Sequence, residues 1–151
     1  MKTTKQNSLT LALEGDAIPL EKFKLAVISF LDLIESVSRE ATGTGQKIKW
    51  DVSVKSGSAI VQATPKRSIE TRDAVSSVFS AIPEGINSLE RGVAEVPQFF
   101  NDAAIRAVRR LATVHELDDK GLTRVRIIGT QSNNIVTHKI AATVNEIVGT
   151  S

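Results

Sequence analysis

The sequence predicts an α+β fold, a small, mostly antiparallel sheet covered by helices in the order β-α-β-β-α-α-β-β-α. Three observations carry this expectation. Residues 47–55, KIKWDVSVK, alternate strictly, with Ile48, Trp50, Val52 and Val54 on one side and Lys47, Lys49, Asp51, Ser53 and Lys55 on the other. That is the period of a strand with one buried face. Earlier in the chain Leu20, Phe23, Val27, Phe30, Leu31, Ile34 and Val37 recur at helical spacing. The third observation is Ser56-Gly57-Ser58, which joins the alternating run directly to a second strand-like run, SAIVQAT.

Taken in order, residues 1–7 are polar and expected to fray. Leu9, Leu11 and Leu13 then share one face of a first strand. Pro19 is placed to open a helix, with Glu21 in a first turn that favours a carboxylate. This helix is expected to run to about Arg39. Leu25, Ile28 and Leu33 fall outside its stripe and widen the apolar surface. Such width calls for two neighbours, one of which is expected to be another subunit. These three residues are therefore the candidate oligomer interface.

The stretch ATGTGQ at 41–46 ends the helix, and the hairpin follows. A phosphate-cradling loop runs from a strand into a helix, so that amides at the helix N-terminus face the anion. Here the Gly-Ser corner runs from strand into strand, where glycine serves a tight turn. The corner is structural, and Pro65 closes the second strand because it cannot donate to a ladder.

A second helix is expected from about Arg67 to Gly92, with Val75, Val78, Phe79, Ile82, Ile86 and Leu89 inward and Pro83 interrupting or restarting it. A third opens near Pro97, turns Phe100, Ala104, Ala107, Leu111 and Val114 inward, and stops at LDDKG, where Asp118-Asp119-Lys120 reads as a solvated turn. LTRVRIIG is a further strand with Arg124 and Arg126 on its polar face, TQSN a turn, and NIVTH a short partner strand. Ile140, Val144, Ile147 and Val148 mark a terminal helix. A chain of 151 residues fits a single domain, residues 1–151.

The segments LTLALEG, IPLEKFKLAVISFLDLIESV and IKWDVSVKSGSAIVQATP, about residues 8–65, together resemble a scattered group of uncharacterised bacterial and phage accessory proteins. Those proteins open with a strand ending in Glu-Gly or a similar pair, continue with a helix, and then form a hairpin whose turn carries Gly-Ser. The resemblance lies in the order of elements. It implies a β-α-β-β-α beginning and an accessory or defence-related role, and it brings no catalytic residue with it.

Composition narrows the chemistry. The absence of cysteine excludes thiolate catalysis, disulfides and cysteine-bound zinc, and suits a cytoplasmic protein. No stretch reads as a secretory leader or reaches the roughly 20 apolar residues of a membrane span, since Asp32 breaks LAVISFLDLI. The two histidines, His115 and His138, lack HxxxH or HExxH spacing, and no GxSxG elbow is present. The expectation is a protein that is not an enzyme and carries neither metal nor cofactor.

The basic residues are more informative. Arg106, Arg109 and Arg110 lie opposite the apolar stripe of the third helix, and Arg124 and Arg126 share a strand face. Guanidinium forks match phosphate and carboxylate geometry. The favoured reading is a self-associating, non-catalytic module that captures an anionic small ligand such as a nucleotide on these five arginines. One rival is a protein-interaction module without a small ligand, for which the wide first helix suffices. A second is backbone-directed nucleic-acid binding through Lys47, Lys49 and Lys55 with the arginines. A net charge of only +2 and 4% aromatic residues weigh against it.

Overall fold

The computed structural model describes residues 8–15, 17–43, 46–55, 59–118 and 121–149. Along it run β1 (Leu9–Glu14), α1 (Leu20–Thr42), β2 (Trp50–Lys55), β3 (Ala59–Pro65), α2 (Arg72–Glu90), α3 (Asp102–Val114), β4 (Glu116–Asp118), β5 (Gly121–Ile128), β6 (Asn133–Ile135) and α4 (His138–Val148). The fold is α+β with an antiparallel sheet, as the two periodicities predict. The expected order lacked β4. The LDDKG stretch does stop the helix, but Glu116–Asp118 pairs with Gly121–Thr123 as a strand. Residues 119–120, where the solvated turn was expected, lie outside the described residues, as do residues 1–7.

Strand order is β2-β3-β1-β5-β4, with β6 also on β5. Because β1 occupies one flank of β5, β4 and β6 share the other, the former along Gly121–Thr123 and the latter along Arg126–Ile128. β1 is central. Leu11 stands opposite Val61 on one side and Ile127 on the other, and Leu13 opposite Ala59 and Val125. The hairpin is confirmed by the pairing of Trp50–Lys55 with Ile60–Pro65, while its corner, Ser56-Gly57-Ser58, lies outside the described residues.

The register places Leu9, Leu11, Leu13, Val61, Ala63, Val125 and Ile127 on one face, all buried in a core shared with the helices. Thr10, Ala12, Glu14, Ile60, Gln62, Arg124 and Arg126 form the other face, which no helix covers. The molecule is thus a helical layer on one side of a sheet.

α1 begins after Pro19, which caps it with φ −58° and ψ 142° and accepts from the Phe23 N–H at 3.0 Å, and it ends at Gly43, whose φ is 69°. Its fully buried row is Ala26, Phe30, Leu33 and Val37, the i, i+4, i+7, i+11 series of a core-facing helix. Each large member of such a row contributes about 1.5–3 kcal/mol through burial. This corrects one expectation, because Leu33 has 0% exposure and belongs to the core rather than to an outer face. α2 passes through Pro83 without interruption and starts at Arg72 rather than near Arg67. Gly85 permits close contact there, since a Cβ on it would lie 2.6 Å from the Phe100 ring.

α3 starts at Asp102, later than Pro97 predicts, because Asn101 supplies the cap. Its Oδ1 accepts from the Ala104 N–H at 2.9 Å, while its Nδ2 donates to the Ser36 carbonyl at 3.4 Å and to Glu40 Oε2 at 3.2 Å on α1. α4 is capped by Thr137, whose hydroxyl accepts from the Lys139 N–H at 3.2 Å. No helix among the described residues is long and apolar enough to cross a membrane.

Candidate functional site

The five arginines do not converge. Arg106, Arg109 and Arg110 lie on α3, in the helical layer, with Arg106 and Arg109 exposed. Arg124 and Arg126 alternate with the buried Val125 and Ile127 on β5, so they project from the uncovered face of the sheet. The sheet and its core separate the two groups, and no one small anion can touch both. Two of the five are also engaged by carboxylates. Arg110 donates to Asp32 Oδ2 at 3.0 Å and from Nε to the Ser29 hydroxyl at 3.1 Å, clamping α3 to α1. Arg126 donates from Nε to Glu14 Oε1 at 3.0 Å and to Asn133 Oδ1 at 3.3 Å, spanning β1, β5 and β6.

The histidines, 23 positions apart in sequence, come together where α3 ends and α4 begins. His115 follows Val114 in extended backbone, and its Nδ1 accepts from the Val125 N–H at 3.2 Å. Burial holds its pKa below the ordinary value. Repulsion from His138 and from the Arg124 guanidinium acts in the same direction, and the Glu90 carboxylate opposes it. Glu90 meanwhile accepts from the Thr137 N–H at 2.6 Å and from its hydroxyl at 2.9 Å. Among the described residues no group of three His, Asp or Glu side chains could hold a metal ion.

The feature that stands out lies at the β2 edge. Val52 and Val54 share the parity of Ile48 and Trp50 and, through β3, stand opposite the buried Ala63 and Val61. They therefore lie on the core side of the sheet, yet they are 48% and 64% exposed. The cause is topological, because β2 is the outermost strand and α1 does not extend over it. A groove of about 640 Å³ runs between them, with Leu31, Ile34, Ile48, Trp50 and Val52 as its apolar lining and Asp32, Glu35, Arg39, Lys47 and Lys49 along its rim.

Trp50 anchors one end. Its indole Nε1–H donates to the Ser38 hydroxyl at 3.0 Å, and its ring meets Phe79 edge-on at 6.0 Å between centroids. β2 runs parallel in direction to β1, since both are antiparallel to β3, and α1 returns across the sheet the other way. Ile28 is 53% exposed and lies one helical turn before Asp32, which lines the groove wall. Of the three candidate interface residues, Ile28 is on this open side, Leu25 is half-buried against the core and Leu33 is inside it. A second, more polar depression of about 730 Å³ lies between α2 and residues 97–99, lined by Ser76, Ser80 and Asn87 among others.

Comparison with protein-family models, with curated proteins and with solved structures finds no match for this chain.

Proposed function

We propose that the protein is a non-catalytic interaction module working through its α1–β2 edge, in keeping with the interaction reading of the sequence. The observation that carries this is the exposure of Val52 and Val54 on the core-facing side of an edge strand, with Val52 also lining an apolar groove beside α1. Unpaired edge strands invite another chain, and apolar side chains beside one add affinity. The role is that of a cytoplasmic accessory protein, supported by the absence of cysteine and by the resemblance over residues 8–65. The rival, capture of a nucleotide-like anion, is left with Arg106 and Arg109 on α3 as its exposed donors on that side.

Parallel substitutions separate the two readings. Ile28→Lys and Val52→Lys should abolish association measured by sedimentation and shift the melting temperature only slightly, because both side chains are about half exposed and a lysine there can reach water. Arg109→Gln should leave both association and melting temperature unchanged. A nucleotide that raises the melting temperature of the wild-type protein but not of the Arg109→Gln variant would overturn the proposal in favour of anion capture.

A further inference from the structure

We propose that the partner at this edge is a second copy of the chain, paired antiparallel through β2 about a two-fold axis at Ser53. The inference rests on the interaction reading above and specifies its occupant. Three independent features support it.

The first is the direction of the backbone groups. The Lys66 N–H donates to the Lys49 carbonyl at 2.7 Å, so Lys49 and Lys66 form a hydrogen-bonded pair of the β2–β3 ladder. Opposite pairs in an antiparallel ladder alternate between bonded and non-bonded. With the register Trp50 opposite Pro65, the β2 residues bonded to β3 are Lys49, Asp51, Ser53 and Lys55. Pro65, which has no N–H to give, falls on a non-bonded position, as that phase requires. Trp50, Val52 and Val54 therefore direct their N–H and C=O groups away from β3, towards the unpaired edge.

The second is charge. Pairing β2 with itself must keep the valines on one face, which restricts the axis to a residue rather than a gap between residues. Centred on Asp51, the pairing sets Asp51 against Asp51 and Lys47 against Lys55. Centred on Val52, it sets Lys49 against Lys55. Centred on Trp50, it sets Lys49 against Asp51 but leaves Val54 opposite residue 46, outside the strand. Centred on Ser53, it places Asp51 of each copy across from Lys55 of the other, an acid opposite a base on both sides of the axis, with both valines inside the pairing. The contact of Asp51 with Lys66 on its own hairpin is exposed and loose at 3.8 Å, and leaves that carboxylate available.

The third is burial. The Ser53 register sets Val52 of one copy against Val54 of the other, with reciprocal N–H···O=C bonds between them on each side of the axis. The exposed valines of both copies then form one continuous apolar row on the helical side. Small Ser53 sits at the axis as a non-bonded pair, where the chains approach most closely. The sheets of the two copies become one.

Sedimentation of the intact protein between about 1 and 300 μM, with three variants, tests this. Val54→Pro removes an N–H that no ladder in the monomer uses, and should weaken dimerisation at least tenfold with the circular dichroism spectrum retained. Asp51→Lys should weaken it about tenfold by setting like charges opposite, and Asp51→Lys with Lys55→Asp should restore it to within about threefold. The restored dimer identifies the register even if the proline variant misfolds. A dimer that survives both Val54→Pro and Asp51→Lys but is lost in Ile28→Lys overturns the strand pairing while leaving the interaction reading standing. A monomer at every concentration, with another protein bound at the groove and released by Val52→Lys, likewise overturns only the choice of partner. A monomer that responds to nucleotide through Arg109 overturns both.

Discussion

The indole N–H of Trp50 donates to the hydroxyl of Ser38 at 3.0 Å, joining the first residue of β2 to the last third of α1. This bond sets one end of the groove. Ser38 is buried, so replacing it with Ala leaves a half-buried indole donor without its acceptor. Ser38→Ala should cost about 1 kcal/mol, or about 2–4 °C in melting temperature for a domain of this size. Native Trp50 emission should be blue-shifted from that of tryptophan in water and move red on unfolding. Water-like emission from folded protein would refute the packing of Trp50 against Phe79 and Ser38.

A second expectation separates structural arginines from surface ones. Arg110 holds Ser29 and Asp32 across the α1–α3 packing, and Ser29 is fully buried. The Arg110–Asp32 pair itself is more than a third exposed on both sides, so screening reduces its Coulombic share. Arg110→Gln should lower unfolding stability by about 1 kcal/mol, mainly through the lost bond to Ser29, whereas Arg109→Gln should stay within about 0.5 kcal/mol of wild type. Urea denaturation measures both. Equal effects would contradict the clamp.

The histidine at the end of α3 gives the protein a pH dependence of definite sign. His115 has its pKa lowered by burial first, then by His138 and Arg124, with Glu90 opposing. The unfolded chain therefore binds a proton at a pH where the folded chain does not. The stabilisation is fully present above the ordinary value of about 6.5 and is lost as pH falls through that value towards the lowered native one. Protonation would also place a hydrogen on Nδ1 against the Val125 N–H. His115→Asn, which keeps an acceptor for Val125 but cannot titrate, should flatten the stability profile between about pH 7.5 and 5. His138→Gln should reduce its slope. A slope unchanged in His115→Asn would assign the dependence to other groups.

Strand faces and helical stripes were legible because periodicity reports which side of an element is apolar. Leu11, Val61 and Ile127 sit where alternation places them. Periodicity does not report what lies over that side. Val52 and Val54 have the parity of core residues and are exposed because β2 is an edge, which is a property of topology. Leu33 reads as outside the α1 stripe, yet it lies inside because α2 and α3 cover that helix along with the sheet. The separation of the α3 arginines from those of β5 likewise depends on all four helices packing on one side of the sheet. β4, three residues long, carries too few positions to show any period. Glu90, whose carboxylate binds Thr137 at 2.6 Å, gave no signal at all, since 47 residues separate the two.

The central claim is that the outer edge of β2 is the working surface, and backbone amide exchange measured by NMR across protein concentration tests it most directly. Asp51 and Ser53 donate inward to β3, so their amides should exchange slowly at every concentration. Val52 and Val54 point outward, and their amides should exchange freely in dilute protein and become protected as concentration rises and the edge is covered. Val52 and Val54 amides that remain fast up to the solubility limit, while those of Asp51 and Ser53 stay slow, would contradict self-association through this strand.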